Sequence, residues 1–353
     1  MKLYALSQRS GETYDAAGKA MHDVFAMLAK NGFKTVWSMP KSCNKYLKIL
    51  DLPYLATLLF FGMRKGDYIF FSIPENHIKI KLLKKIQKIK KYSIICFIND
   101  LNAFRYGNME QENVKSAMRQ EAAIIGMADY VLIPNENTAS LLRNNGVESK
   151  LIPVGVWDYL MTDVQQRHIA DAAKSSHLLE NEIRIAFAGN LNKSEFLFEM
   201  ELPQDTKLHM ELWGKLDEEK KAKLPEFCTY HGVLPADEVP EAISHMDYGL
   251  VWDGTGKDSV EGGLGEYLQY NNSHKCGLYL ASGIPAIVWS KAGMANFVRK
   301  HECGICIERL MELEEKLLQS NYEIIKNNTL SVSEKLQKGY YLQKALEEIL
   351  GDS

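Results

Sequence analysis

No stretch of this 353-residue chain is both apolar and long enough to cross a bilayer. Its longest apolar run, 52–63, is about a dozen residues, against the ~20 that a spanning helix needs. The first ten residues lack the apolar core of a secretory leader, so the expectation is a cytoplasmic protein. An excess of basic charge is also missing. The formal net charge is −3, which removes the electrostatic footprint of a nucleic-acid binder. Cysteine is sparse: six are scattered, and only Cys303 and Cys306 form a C-x-x-C pair. Without a second pair at zinc-finger spacing it reads as part of a strand and turn rather than a metal site, and the thiols are expected to be reduced. No G-x-G-x-x-G follows a strand. Gly262-Gly263-Leu264-Gly265 lacks the strand–turn–helix context of a dinucleotide fingerprint, so a dehydrogenase is disfavoured. Neither an internal repeat nor a low-complexity tract is present.

What the chain does carry is alternation. Short apolar runs at 2–6, 34–39, 68–73, 93–98 and 130–134 are separated by helical patterns at 16–30, 77–91, 111–127 and 136–145. Strands interleaved with helices imply βαβ units and a parallel sheet. After a largely helical, polar stretch over 154–181 the pattern restarts, with runs at 184–189, 208–214, 229–234, 248–253, 285–289 and 304–307. The predicted fold class is α/β, with two Rossmann-like parallel-sheet domains facing a cleft. The first spans 1–155 and the second 156–332, with a hinge near Pro153–Trp157. A helix over 333–350 remains, and the segment 333–353 is expected to cross back onto the first domain. The Lys-rich helix 79–91 reads as a solvated helix covering a sheet. Contact with anionic lipid is the sharper alternative, because a basic amphipathic helix can lie on a membrane.

In open parallel sheets ligands bind beyond the carboxyl ends of the strands, so the strand exits hold the candidate residues. The first exit contains Gly11 and Thr13, where a glycine lets backbone N–H groups approach a ligand. A second follows the run 93–98 and carries Asp100, able to accept a proton or a hydroxyl hydrogen bond, or simply to form an Asx turn. A third, Gly189, Asn190 and Lys193, offers amides and a cation to a phosphate or ribose. Trp213 and Gly214 end a neighbouring strand, where Trp213 suits either a base pocket or the core. The most specific segment is Asn271-Asn272-Ser273-His274-Lys275, ahead of an apolar helix. One of Asn271, Asn272 and Ser273 is placed to cap that helix. Lys275 then falls in the first turn, where a cation opposes the helix macrodipole unless an anion binds there. The segment therefore reads as a diphosphate cradle on a helix N-terminus.

At these residues the chain resembles a known family. GEYLQYNNSHKCGLYLASGIPAIVW looks like the C-terminal donor motif of GT-B glycosyltransferases. It is most similar to bacterial galactofuranosyltransferase-like enzymes and to the glucosyltransferases that extend the sugar on streptococcal serine-rich adhesins. FINDLNAFR, GVWDY, IAFAGNLNKSEFL and YGLVWDG follow the same order, so the resemblance covers most of the chain. It implies transfer of a hexose from a UDP-sugar, bound mainly by the C-terminal domain, to a glycan acceptor on lipid or protein. Carried over, Lys193 is the basic residue of the nucleotide site. Asn271, Asn272, His274 and Lys275 match the diphosphate segment, and the loop at Gly11 and Thr13 closes over the donor. Asp100 falls where relatives show His-Asp, but Asn99 replaces that His. Relatives also imply a homo-oligomer, and the Lys-rich helix leaves peripheral contact with the inner face of the membrane as an alternative.

Glycosyl transfer expels a nucleoside diphosphate, whose departing charge must be stabilised. Metal-using transferases employ an Asp-x-Asp site, and none occurs in this chain. Fixed cations and helix N–H groups are the alternative, so no metal and no cofactor are expected. Two competing readings are a non-catalytic sugar-nucleotide-binding protein and a nucleotide-sugar hydrolase or epimerase. The sequence does not specify the donor sugar, the acceptor, or whether configuration is retained or inverted.

Overall fold

A computed structural model describes residues 1–8, 16–38, 51–74, 79–107, 110–175, 182–253, 256, 260 and 262–351. Strands are labelled in chain order. The first sheet contains β1 (Leu3–Gln8), β2 (Lys34–Ser38), β3 (Tyr68–Ile73), β4 (Ser93–Ile98), β5 (Tyr130–Ile133) and β6 (Lys150–Pro153). The second contains β7 (Ile183–Ala188), β8 (Leu208–Trp213), β9 (Cys228–Gly232), β10 (Tyr248–Val251), β11 (Ala286–Trp289) and β12 (Gly304–Ile307). Every pairing in both sheets is parallel. Parallel strands with helical crossovers are covered on both faces, which is why the central strands read as unbroken apolar runs. All six residues of β3 are buried, as are all four of both β10 and β11.

The first sheet runs β2-β1-β3-β4-β5-β6 and the second β12-β11-β10-β7-β8-β9. In the second, β7 to β9 step outward on one side and β10 to β12 on the other. The order reverses between β7 and β10, and the Rossmann rule places a ligand at such a point. The chain divides into two compact units. One comprises Met1–Thr13, Met21–Val154 and Leu342–Ser353; the other comprises Tyr14–Ala20 and Gly155–Tyr341.

The core of the first unit is aromatic and β-branched. Phe70 packs edge-on against Phe33 and tilts against Phe97, with centroids 6.3 and 5.7 Å apart. Asn135 caps the helix Glu136–Asn144 by accepting the Thr138 N–H at 3.1 Å. Some elements depart from the sequence reading, among them the helix Asp51–Gly62, which figured there only as an apolar run. Strand β6 was not foreseen, because KLIP offers only one buried side chain, Ile152. The single C-terminal helix expected over 333–350 is two helices, Tyr322–Gln337 and Tyr340–Gly351. They are separated at Gly339, whose φ of 78° no continuing helix adopts. The second of them is tied to the first sheet: the Tyr68 hydroxyl donates to the Ile349 carbonyl, and Lys150 lies 3.3 Å from Glu348.

Candidate functional site

The site is built on the reversal point of the second sheet. Helix His274–Ala281 runs between β10 and β11 and lies directly on β10. It fits because residue 249 has no side chain: a Cβ there would stand 2.2 Å from the Tyr279 ring. Tyr279 reaches past β10 and its hydroxyl accepts the N–H of Ala188, the last residue of β7, at 2.9 Å. Burial pushes the Tyr279 phenol well up, so it stays protonated. At its other end the helix is held by Ser333 and Gln337, which donate to the Ala281 carbonyl at 2.7 and 2.8 Å. On its outer side Gly277 admits the backbone of residue 157, since a Cβ would lie 2.5 Å from the Trp157 carbonyl. The Trp157 indole stacks on His274, with centroids 5.8 Å apart and planes at 21°. The helix is thus held from three directions before any ligand is considered.

His274 and Lys275 open this helix, and Ser273 sits at its N-cap. Of the three residues placed to cap it, Ser273 makes no side-chain capping hydrogen bond. Asn272 is buried, and the Oδ1 of Asn271 is a buried acceptor with no hydrogen-bond partner among the described residues. An uncompensated buried acceptor costs about 1–3 kcal/mol. The Lys275 ammonium points into the reversal point. It lies 2.8 Å from Asp253 Oδ1, just past the end of β10, and 5.2 Å from the ring centroid of Phe187 on β7. Lys275 is largely buried and Asp253 one-third exposed. Gly189 makes room for this lysine, because a Cβ there would approach Lys275 Cε to 3.1 Å.

The neighbouring exits interlock. Gly214 follows β8 with φ of 137°, and a Cβ on it would lie 1.7 Å from the Gly189 carbonyl oxygen. The Gly189 N–H donates to the Trp213 carbonyl at 2.9 Å, and the Gly214 N–H to the Gly232 carbonyl at 2.7 Å. Asn190 precedes the 3-10 turn Leu191–Lys193, and Lys193 is exposed on it. That turn is fixed from below: the Asn192 side chain accepts the Asp217 N–H, and Lys220 donates to the Asn192 carbonyl. Trp213 is buried, with one ring face covered by His231 at 4.5 Å between centroids. His231 is in turn held by Glu211. Of the two roles read for Trp213, the core role matches this burial.

In the first unit, Asp100 follows β4, and its Oδ1 accepts the N–H of the next residue, Leu101, at 3.0 Å, one residue short of the i+2 contact of an Asx turn. The next turn is anchored by Glu121, whose carboxylate accepts the N–H groups of Asn102 and Ala103, both at 3.1 Å. Gly11 and Thr13 lie outside the described residues. The Cys303–Cys306 pair runs into β12, and burial pushes the Cys303 thiol up to about 12. Among the described residues no cluster of His, Cys, Asp and Glu is arranged to hold a metal ion.

Sequence reasoning therefore named Lys275 and Gly189 but missed Asp253. Its signal was positional: an acidic residue two places beyond a fully buried strand that borders the reversal point.

The models for the N-terminal and C-terminal domains of the glucosyltransferase 3-like family match residues 3–156 and 185–349. The chain is 25% identical over 356 residues to beta-1,6-galactofuranosyltransferase WbbI of Escherichia coli (strain K12), covering 99% of each. It is 27% identical over 296 residues to glucosyltransferase 3 of Streptococcus parasanguinis, covering 81% of this chain and 79% of that one. Among solved structures it superposes on HepE of Anabaena in complex with UDP and glucose, with a TM-score of 0.60 and 11% identity over the whole of both chains. That likeness shows the fold, two Rossmann-like units of the GT-B type. With its two domain models matched in order across nearly the full length, the chain belongs to the glucosyltransferase 3-like family of glycosyltransferases.

Proposed function

We propose that this glycosyltransferase moves a hexosyl group from a UDP-sugar to a hydroxyl of a glycan acceptor carried on lipid or protein, without a divalent metal. The observation that carries the reading is the Lys275 ammonium, largely buried at the reversal point of the second sheet, with the Asp253 carboxylate drawn up against it. A diphosphate entering there exchanges with Asp253 as the partner of Lys275. The N-terminus of helix His274–Ala281 adds its partial positive charge, and Lys193 approaches from the neighbouring exit. In the transfer, the bond from the anomeric carbon to the phosphate oxygen breaks and a bond to the acceptor oxygen forms. The acceptor's proton leaves, and negative charge accumulates on the UDP. A cation and helix dipole held in place beforehand stabilise that charge without reorganising.

HepE is bound to UDP and glucose, and the WbbI and glucosyltransferase 3 names are those of sugar transferases, which supports a UDP-hexose donor. The test is UDP release from UDP-hexoses in the presence of EDTA, with and without a glycan acceptor. Acceptor-dependent release in EDTA is expected. Release only with magnesium, or a change in the sugar without an acceptor, would overturn the proposal.

A further inference from the structure

Helix Asp51–Gly62, DLPYLATLLFFG, is unusual for a helix on a sheet of this kind. Leu55 and Leu59 are buried, yet its opposite side is apolar too. Leu52, Tyr54, Phe60 and Phe61 are exposed, Tyr54 by 55% and Phe61 by 78%. No charged residue follows Asp51 within the helix. Helical spacing puts Pro53, Tyr54, Thr57, Phe60 and Phe61 on one continuous face, opposite Leu55 and Leu59. Single exposed apolar residues need no explanation, but a contiguous apolar patch marks an interaction surface. Other exposed large apolar residues among those described, such as Val164, Val233 and Met311, lie singly on separate elements.

The neighbouring helix Ile80–Lys90 packs against it and extends the patch with Ile89, which is 67% exposed. Around Ile89 the surface is basic. Lys79 and Lys84 are occupied with Asp51 and Asp129, at 3.4 and 3.7 Å, whereas Lys81, Lys85, Lys88 and Lys91 are exposed. The Lys90 ammonium lies 4.6 Å from the Phe60 ring centroid, which joins the two faces. Arg64 and Lys65, exposed directly after the first helix, continue the charge.

We propose that these two helices form a docking surface for the headgroup region of an anionic lipid bilayer. Tyr54, Phe60, Phe61 and Ile89 enter the interface, and the lysines meet lipid phosphates. Charge decides the occupant. An apolar patch bordered by exposed lysines and an arginine repels a second copy of itself, whereas an anionic interface satisfies both components at once. Aromatic residues beside lysines are the composition expected of a surface that lies on a membrane without spanning it. The surface lies wholly in the first unit, so its docking is independent of the donor.

The test uses the full chain with sedimented vesicles of pure phosphatidylcholine and of phosphatidylcholine mixed with phosphatidylglycerol. Binding is expected to the second and not the first, and to weaken in high salt. The double variant Phe60→Ser/Phe61→Ser should lose about tenfold or more in partitioning, and so should Lys81→Gln/Lys85→Gln/Lys88→Gln. Both change exposed side chains, so thermal melting should be retained, which separates lost docking from misfolding. Absence of vesicle binding, or binding indifferent to both variants, would overturn the proposal. So would sedimentation velocity showing that the phenylalanine variant merely converts a dimer to a monomer.

Discussion

Replacing Lys275 by alanine removes the cation aimed at the reversal point of the second sheet. The ammonium is largely buried and 2.8 Å from Asp253. In the unliganded protein it is already partnered, so phosphate binding gains the difference between two partners rather than a whole ion pair. A hydrogen bond to a charged group is worth about 1.5–3 kcal/mol net, and a loss of about 2 kcal/mol corresponds to ~30-fold in dissociation constant. The variant also leaves the Asp253 carboxylate facing the diphosphate without its neutralising neighbour, which pushes the loss toward the upper end of that range. Adding Asp253→Asn to Lys275→Ala should therefore recover part of it. The assay is calorimetric titration with UDP in EDTA, alongside thermal melting to verify the fold. If Lys275→Ala binds UDP as tightly as the unaltered protein while melting normally, the electrostatic reasoning is wrong.

Tyr279→Phe removes the hydroxyl that accepts the Ala188 N–H, leaving a buried donor unpaired; a loss of about 1–3 kcal/mol in denaturant unfolding is expected, with weaker UDP binding. Gly214→Ala should be more severe, because its Cβ has nowhere to go beside the Gly189 carbonyl and φ is 137°; a large drop in melting temperature or in soluble yield is expected. Lys326 is buried near Asp247, and burial lowers its ammonium to about 8. Its folded value lies below the unfolded ~10.4, so the unfolded chain binds more protons between these values and stability should rise with pH from about 8 to 10.4. Lys326→Met should raise the melting temperature at pH 7 and flatten that rise, as pH-dependent melting curves would show.

Much of the fold was legible because parallel strands buried on both faces leave an unmistakable mark. YIFFSI and SIICFI are strands β3 and β4 to the residue. Short or half-exposed elements leave a fainter one. Strand β6 buries only Ile152, and its neighbour Pro153 reads as a breaker. The division of the C-terminal helix turned on Gly339, whose left-handed φ of 78° ends the first helix locally; a lone glycine inside a helical pattern reads equally well as a tolerated interruption. The site divides in the same way. Lys275 was legible from its placement in the first turn of a helix, where a cation needs an anion. Asp253 was not, because pairing of residues 22 apart depends on the order of strands β7 and β10. The apolar run 52–63 was recognised as too short to span a membrane, but nothing in its sequence told which of its sides faces outward.

The central claim is that a diphosphate docks at the start of helix His274–Ala281, and a crystal structure with UDP grown in EDTA tests it most directly. A phosphate oxygen is expected within hydrogen-bond reach of Lys275 Nζ, with Asp253 displaced from it and no metal bridging the phosphates. UDP phosphates bound away from Lys275, or ordered only when magnesium is added, would contradict it.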